Sequence, residues 1–267
     1  MSKNSYQNTR ETIGIIGAGV VGTAVKSFYK NAKIYDKFKP SNSWNDVASC
    51  NIIFICLPTP FKNGWIDLSA IDEVIENLPY HSPHGKIVII KSTVIPGTTD
   101  SYQKIRPDLN LFHIPEFLRE KTAKKDFAKP DMNIIGTTDK SNQFTEEVIS
   151  ILPPAPTLIT TAKESEMIKY AINAYLALKI IFANQIYDIC KKLEIDYDLV
   201  KDGMCMDSRI SCGHLDVFTD GYRGFSGKCL PKDLKTLIAL AKKLNLKPEL
   251  FKTVEKINSR LLKEKKK

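Results

Sequence analysis

Ile13-Gly14-Ile15-Ile16-Gly17-Ala18-Gly19-Val20-Val21-Gly22 is an apolar run that breaks into glycines with the spacing G-x-G-x-x-G. The residues that follow, Thr23 to Tyr29, have a helical pattern. A strand that ends in such a turn and opens a helix is the start of a dinucleotide-binding fold. We predict that Gly17 makes the tight turn, that Gly19 lets a pyrophosphate approach the helix N-terminus, and that Gly22 lets the helix pack closely.

A second short strand, Ile34-Tyr35-Asp36, ends in an acid about 20 residues after the first of these glycines. An acid at this place accepts hydrogen bonds from ribose hydroxyls and repels a 2′-phosphate, so Asp36 favours NAD over NADP. Lys37 and Lys39 could tolerate a phosphate, and a glycine turn without a ligand is a further alternative. The predicted cofactor-binding residues at this turn are Gly17, Gly19, Val20, Val21, Gly22 and Asp36.

Two later apolar runs predict buried strands of a parallel sheet. The run Asn51–Leu57 stops at Pro58-Thr59-Pro60, and the run Lys86–Lys91 stops at Ser92–Thr98. Ligands of open parallel sheets bind beyond the carboxyl ends of the strands, so both stops are predicted to face the cofactor. Further strands are predicted at 109–114 and 133–136, and the helical spacing of Ile66 to Leu78 predicts a helix there.

Pro115-Glu116-Phe117-Leu118-Arg119-Glu120 carries two carboxylates four residues apart. On a helix they would share one face, and one of them could act as a base in a cleft. The alternative is a charged surface turn.

The segment from Lys163 to Leu193 has the longest helical periodicity, with a wide apolar stripe and neither proline nor glycine. A helix of this kind suits a bridge between domains or the core of a dimer. Lys169 and Asn173 lie one turn apart within it. We interpret them as a cation and an amide that steady a developing oxyanion, with ordinary boundary solvation as the alternative.

Further helical patterns at 195–206, 233–244 and 249–262 make the second half all helical. The predicted fold is α/β, with a Rossmann-like doubly wound parallel sheet followed by an all-helical domain with a long bridging helix. We place the boundary in Pro153-Pro154-Ala155-Pro156. This gives a NAD-binding domain over 1–155 and a helical domain for catalysis and dimerisation over 156–267.

Gly224-Phe225-Ser226-Gly227-Lys228-Cys229-Leu230-Pro231-Lys232-Asp233 places a cysteine in a turn with glycines and nearby positive charge. Positive charge favours the thiolate, and small residues let a substrate approach the backbone. The stretch is therefore a candidate nucleophile loop.

Composition excludes several classes of protein. The six cysteines form no C-x-x-C pair and are expected to be reduced thiols, and Cys205 and Cys212 lack the histidine spacing of a metal site. The net charge of +9, partly from the tail Lys263–Lys267, suits an anionic ligand, and no nucleic-acid motif is present. No apolar run reaches the ~18 residues of a membrane span, and the polar Met1–Glu11 lacks a signal-peptide core, so we expect the cytoplasm.

Taken together, these motifs resemble those of the UDP-glucose/GDP-mannose dehydrogenase family, in the family's order and over nearly the whole chain. The matching pieces are Gly17–Gly22, Leu57–Pro60, Ser92–Thr98, Pro115–Glu120, Lys169–Ala174, Asp207–Ile210 and the Cys229 loop.

The resemblance implies a NAD-dependent oxidation of the C6 alcohol of a nucleotide sugar, most simply UDP-glucose, to the acid in two steps. Cys229 would attack the intermediate aldehyde to form a thiohemiacetal, which is oxidised to a thioester and opened by water. The catalytic residues that it implies are Thr93, Glu120, Lys169, Asn173, Cys229 and Asp233.

The family pattern also implies roles for individual residues. Glu120 would handle protons and the hydrolytic water, Asp233 would orient water near the cysteine, and Lys169 would stabilise oxyanions with Asn173 as its partner. The implied additions to the cofactor-binding set are Pro58, Thr59, Thr93, Glu120 and Lys232. The implied substrate-binding set is Glu116, Phe117, Leu118, Lys169, Asn173, Arg209, Tyr222, Gly224 and Gly227.

Because Arg209 would reach the substrate of a neighbouring subunit, the resemblance implies a homodimer through the long helix. The chain departs from the family at two points. Ser226 replaces a glycine, which would cause strain if that position has a positive φ. The chain also stops at Lys267, without the third, nucleotide-binding domain of family members, so its grip on the substrate is expected to differ.

Two other functions stay open. A two-domain hydroxyacid-type dehydrogenase would perform a single oxidation and would need no cysteine. A non-catalytic NAD-binding protein would fit the missing third domain, although the retained Lys169 and Cys229 count against it.

Overall fold

The computed structural model describes residues 12–39, 41–80, 85–218 and 221–264. The prediction for Met1–Glu11 and the last three residues of the predicted tail lie outside these ranges. The described chain divides into two compact units. The first contains the residues to Pro60 and Ile66–Lys169, and the second contains Phe61–Trp65 and the residues from Tyr170 onwards.

The helices and strands follow in chain order. They are β1 (Ile13–Ile16), α1 (Val20–Phe28), β2 (Lys33–Tyr35), α2 (Trp44–Ala48), β3 (Ile52–Ile55), β4 (Phe61–Lys62), β5 (Trp65–Ile66), α3 (Ser69–Asn77), β6 (Lys86–Ile90), α4 (Thr98–Ile105), β7 (Leu109–His113), α5 (Ala123–Ala128), β8 (Asn133–Thr137), α6 (Thr145–Ile151), β9 (Thr157–Thr161), α7 (Ala162–Lys192), α8 (Tyr197–Cys205), α9 (Leu230–Lys243) and α10 (Glu249–Glu264). Short 3₁₀ turns cover Glu120–Thr122 and Ser141–Phe144.

The first unit is built on a seven-stranded sheet in the order β2-β1-β3-β6-β7-β8-β9. All neighbouring strands are parallel except β7 and β8. The central strands β3 and β6 are buried along their whole length because both faces of the sheet are covered. Successive side chains alternate between the faces, so Phe54 and Ile89 belong to one buried cluster while Ile53 and Ile55 belong to the other. The predicted Rossmann-like sheet followed by a helical region is confirmed.

The register of the parallel strands aligns their carboxyl ends. Ile16 pairs with Ile55, Ile55 with Ile90, and Ile90 with His113. The loops that follow β1, β3, β6 and β7 therefore leave the sheet at one edge, where the strand order reverses between β1 and β3.

Two local predictions need correction. The edge strand β9 pairs with β8 and extends the sheet past 155, where the first predicted domain ends, so the second half is not wholly helical. Its five residues are mostly exposed, so they lack the apolar run that marks a buried strand. A second small sheet, β4–β5, turns at Asn63 and Gly64, which both have positive φ. The helix predicted to begin at Ile66 therefore begins at Ser69 as α3.

The second unit packs helices around a smaller core that includes Ala183, Tyr197 and Leu215. Here the structure pairs Cys205 with Cys212 in a disulfide. The turn after α8 brings their Cα atoms to 5.3 Å, a separation that permits such a bond, so the prediction of six reduced thiols is wrong for this pair. None of the described helices combines the length and the apolarity of a membrane crossing.

Candidate functional site

The three glycines of the first turn have three different environments. Gly17 has φ +103°, and a Cβ atom there would lie 2.5 Å from the carbonyl oxygen of Cys56. A Cβ at Gly22 would lie within 1.8 Å of the Gly17 oxygen, so glycine is needed for α1 to pack on the turn. A Cβ at Gly19 would point into open space, which leaves room for a pyrophosphate at the start of α1 beside Val20 and Val21.

Asp36 closes this turn from the end of β2. Its Oδ2 accepts from the backbone N–H of Ala18 at 2.7 Å, and its Oδ1 accepts from the N–H of Phe38 at 2.9 Å. The hydrogen bond from Ala18 is the main cause that lowers the pKa of Asp36, so the group is a carboxylate at neutral pH. Lys37 is exposed and turns to Glu73, with its Nζ 3.2 Å from Oε1. These residues fit a dinucleotide without a 2′-phosphate.

Hydrogen bonds tie together the loops that follow β3 and β6. Buried Thr59 donates from Oγ1 to the carbonyl oxygen of Thr93 at 2.8 Å. Ser92 Oγ accepts from the N–H of Leu57 at 2.9 Å and donates to its oxygen at 2.7 Å. Pro58 is exposed and Thr93 is half-buried. The predicted residues Pro58, Thr59 and Thr93 therefore lie on two joined loops at the carboxyl edge of the sheet.

Lys169, in the third turn of α7, forms a buried ion pair with Glu116. Its Nζ lies 2.5 Å from the Glu116 carbonyl oxygen and 3.3 Å from Oε1, and 5.0 Å from the centre of the Phe117 ring. The Glu116 Oε2 accepts from the N–H of Leu118 at 2.7 Å. The predicted cation and three of the predicted substrate-binding residues thus lie together.

Glu116 and Glu120 do not share a helical face, and of the two alternatives for this stretch the charged turn is the one observed. Residues 115–119 are not helical, and Glu120 begins the 3₁₀ turn and is exposed. The physical reason is that the Glu116 carboxylate folds back onto the N–H of Leu118, which holds the chain in a turn.

Two buried groups behind these loops were missed by sequence reasoning. Lys91 reaches the carbonyl oxygen of Pro115 at 3.3 Å, and burial lowers its pKa to about 8. Burial lowers the pKa of His113 to about 3, and its Nδ1 lies 2.9 Å from Ser165 Oγ. The signal for Lys91 was its place at the end of an apolar strand. Cys56 is a core residue, and its burial raises the pKa of its thiol to about 12.

In the second unit, Cys229 lies in the N-cap position of α9, with an exposed thiol that takes no part in a disulfide. Gly224 and Gly227 supply the positive φ values of this loop, +80° and +83°. The described non-glycine residues with positive φ are Asn63, Glu194, His214 and Asn245. Ser226 therefore has an ordinary backbone, and the strain considered for it is absent. Its hydroxyl donates to the Tyr222 hydroxyl at 2.5 Å.

One turn into α9, Asp233 is almost fully buried and bound by two donors. Asn173 Nδ2 donates to its Oδ2 at 2.5 Å, and Lys232 Nζ lies 2.5 Å from its Oδ1. The structure thus joins three predicted site residues, Asn173, Lys232 and Asp233, while Lys169 is separately bound to Glu116. Arg209 is 87% exposed and is paired with Asp207 at 2.6 Å.

Asn258, which the sequence analysis did not select, holds the cysteine loop from α10. Its Oδ1 accepts from the N–H of Phe225 at 2.7 Å, and its Nδ2 donates to the Phe225 oxygen at 2.9 Å. A Cβ at Gly224 would lie 2.5 Å from that Oδ1, which explains the glycine. The available signal was a polar residue on the buried stripe of an amphipathic helix.

The sequence is similar to those of known nucleotide-sugar dehydrogenases. The UDP-glucose 6-dehydrogenase of Haloferax volcanii is 32% identical over 242 residues, covering 84% of this chain and 55% of that protein. The GDP-mannose 6-dehydrogenase of Pseudomonas aeruginosa is 34% identical over 228 residues, covering 80% of this chain and 52% of that protein. The chain therefore spans about half the length of the curated relatives it matches.

Among solved structures, a UDP-glucose dehydrogenase from Pyrobaculum islandicum superposes with a TM-score of 0.84 at 26% identity, covering 97% of this chain and 70% of that one. Residues 23–152 match the NAD-binding domain of the UDP-glucose/GDP-mannose dehydrogenase family, so NAD is the cofactor, and residues 163–260 match its central domain. The chain belongs to the UDP-glucose/GDP-mannose dehydrogenase family.

Proposed function

We propose that the protein is a NAD-dependent nucleotide-sugar 6-dehydrogenase that converts UDP-glucose to UDP-glucuronate in two successive oxidations. The observation that carries this proposal is the exposed thiol of Cys229 at the start of α9, one turn before the buried group of Asp233, Asn173 and Lys232. A hydroxyacid-type dehydrogenase has no use for such a nucleophile.

In this proposal the first unit binds the cofactor, which accepts a hydride in each oxidation. The open space at Gly19 takes the pyrophosphate, and the Asp36 carboxylate accepts from the adenosine ribose. The joined loops with Thr59 and Thr93 would hold the rest of the dinucleotide.

The chain's own residues carry the chemistry of the sugar. Cys229 attacks the aldehyde, and the resulting thiohemiacetal gives a thioester when the second hydride leaves. The Lys169 ammonium, already desolvated, stabilises the oxyanion, and Asp233 orients the water that opens the thioester. The exposed Glu120 exchanges protons with that water.

We also propose a homodimer through α7. Tyr175, Phe182 and Ile189 recur every seven residues and are 60%, 48% and 55% exposed. A stripe of this kind on a single long helix matches the same stripe of a second copy. The exposed Arg209 would then be available to the partner's substrate.

A panel of nucleotide sugars tests the function. Purified protein is mixed with excess NAD and a limiting amount of UDP-glucose, GDP-mannose or an N-acetylated UDP-sugar, and NADH is counted per sugar consumed. The proposal expects two NADH per sugar, with UDP-glucose turned over fastest. One NADH per substrate would select a single oxidation, and NAD binding without turnover of any sugar would select a non-catalytic protein.

A further inference from the structure

Glu166, in the second turn of α7, is a buried carboxylate that the proposed chemistry does not use. Its side chain is fully buried. Its Oε2 accepts from the N–H of Gly97 at 2.5 Å, and its Oε1 accepts from the N–H and the hydroxyl of Thr99 at 2.8 and 2.6 Å. All three groups donate to the carboxylate, and the Thr99 hydroxyl can also accept.

The carboxylate oxygens of Glu166 cap the N-terminus of α4, which has no side-chain cap of its own. The N-cap residue of α4 is Gly97, which has φ +96° and no side chain to cap the first N–H groups. A buried helix start needs acceptors for those groups, and a carboxylate also interacts favourably with the positive end of the helix dipole. Glu166 supplies both from a position 69 residues later in the chain.

The loop that Glu166 holds is the one that carries Thr93. At the start of this loop, the Ser92 hydroxyl donates to the carbonyl oxygen of Leu57. The carbonyl oxygen of Thr93 accepts from the Thr59 hydroxyl. The second end of the loop is fixed at Gly97 by Glu166.

The same turns of α7 hold the end of the neighbouring strand. Ser165 Oγ donates to the carbonyl oxygen of His113 at 3.0 Å, and Lys169 binds Glu116. Glu166 and Lys169 lie about one turn apart on α7, so the bonds of Glu166 tie the loop that carries Thr93 to the helix segment that carries Lys169.

We propose that Glu166 is a positioning residue for the nucleotide-sugar oxidation, which caps α4 in its ionised form and so fixes Thr93 relative to Lys169. This inference rests on the proposed function. Proton uptake by Glu166 would remove the negative charge that strengthens the bonds from the Gly97 and Thr99 N–H groups, and would reverse the bond with the Thr99 hydroxyl, which can also accept.

The surroundings of Glu166 make that proton uptake relevant near neutral pH. Burial raises the pKa of Glu166 to about 7, against the three donors, and Asp100 of α4 adds to the rise. Tyr102, also on α4, faces the same carboxylate and donates its own hydroxyl to Asp72. We therefore expect the cap to loosen as the pH falls through about 7.

An amide resonance reports the cap without any catalysis. Pro96-Gly97 is the single Pro-Gly pair in the sequence, so labelling proline with ¹³C at the carbonyl and glycine with ¹⁵N selects the Gly97 N–H. In the wild-type protein its proton should shift with a midpoint near pH 7, and in Glu166→Gln this shift should vanish. A Gly97 proton that does not titrate, or titrates equally in Glu166→Gln, would overturn the proposal.

Steady-state kinetics then distinguish a positioning role of Glu166 from a purely structural one. Glu166→Ala should lower kcat by about tenfold to a hundredfold with little change in KM, because the reacting groups are misplaced rather than lost. Glu166→Gln should lose less and should have a flatter pH profile between pH 6 and about 8. The matched control is Glu164→Gln, an exposed carboxylate on the same helix that bonds to the N–H of Thr161, which should retain the wild-type kcat and profile.

The outcomes are distinguishable. A folded Glu166→Ala with wild-type kcat would overturn this inference alone, whereas a wild-type protein that reduces no NAD with any sugar would overturn the proposed function. If Glu166→Ala does not fold, the Gly97 titration in wild type and Glu166→Gln decides.

Discussion

At the scale of single residues, the ion pair of Lys169 and Glu116 is the charged contact on which the oxyanion role depends. Both side chains are largely buried, at 5% and 13% exposure. Removing one partner leaves the other charge buried without compensation, so Lys169→Ala should lower the free energy of unfolding by about 3 kcal/mol. The Lys169→Ala, Glu116→Ala double variant should be less destabilised than the sum of the two single variants.

Denaturant unfolding of the four proteins measures this coupling. The matched control is Lys37→Ala, which breaks the exposed pair with Glu73 and should cost less than about 1 kcal/mol. Equal losses of unfolding free energy in Lys169→Ala and Lys37→Ala would contradict a stabilising buried pair of Lys169 and Glu116.

Glu166 predicts a pH dependence of stability with a definite sign. Its pKa rises from 4.5 in the unfolded chain to about 7 in the folded protein, so the folded state binds the extra proton between these values. Stability from this group is therefore lost as the pH rises from about 4.5 to 7, by about 3 kcal/mol. The measurement is the difference in unfolding free energy between wild type and Glu166→Gln across that range. A difference that is constant with pH would contradict the raised pKa.

Residues whose roles depend on local spacing could be predicted from the sequence. Gly17, Gly22 and Asp36 lie in one supersecondary unit whose pattern is readable, and the structure gives each a matching environment. Glu166 and Asn258 were missed because their partners lie 69 and 33 residues away, and only the fold brings them together.

At the scale of elements, α10 shapes the cysteine loop through Asn258. Gly224 and Gly227 have nearly the same φ, +80° and +83°, but a Cβ would collide with Asn258 only at Gly224. Gly224→Ala should therefore destabilise the protein by at least about 1 kcal/mol more than Gly227→Ala, which introduces the backbone strain alone. Thermal unfolding of the two variants measures this difference. Equal losses of stability in Gly224→Ala and Gly227→Ala would show that the Asn258 side chain moves aside at little cost.

Helices and strands with a clear hydrophobic pattern could be predicted from the sequence, and segments without such a pattern could not. The helix α7 and the buried strands β3 and β6 follow their apolar patterns. The edge strand β9 is polar and exposed, and the turn at Glu116 is set by a side chain that bonds to the backbone. Neither feature produces a hydrophobic periodicity from which it could be predicted.

At the scale of the whole molecule, the exposed stripe of α7 predicts association of two chains. The mass in solution, measured by light scattering during size exclusion, should be twice the chain mass of 30.1 kDa. Phe182→Glu places a charge in the stripe and should give the single-chain mass. The matched control is Leu246→Glu, which changes an apolar residue elsewhere that is even more exposed than Phe182, at 61% against 48%, and should leave the dimer intact. A wild-type protein of single-chain mass would contradict the dimer.

The proposed double oxidation depends on the sulfur atom of Cys229. Its most direct test follows NADH release with UDP-glucose in wild type and Cys229→Ser, after NAD titration has shown equal cofactor binding by both. Wild type should release two NADH per sugar, and Cys229→Ser should stop at one or fewer because the aldehyde has no thiol to bind. Release of two NADH by Cys229→Ser at the wild-type rate would contradict the covalent route.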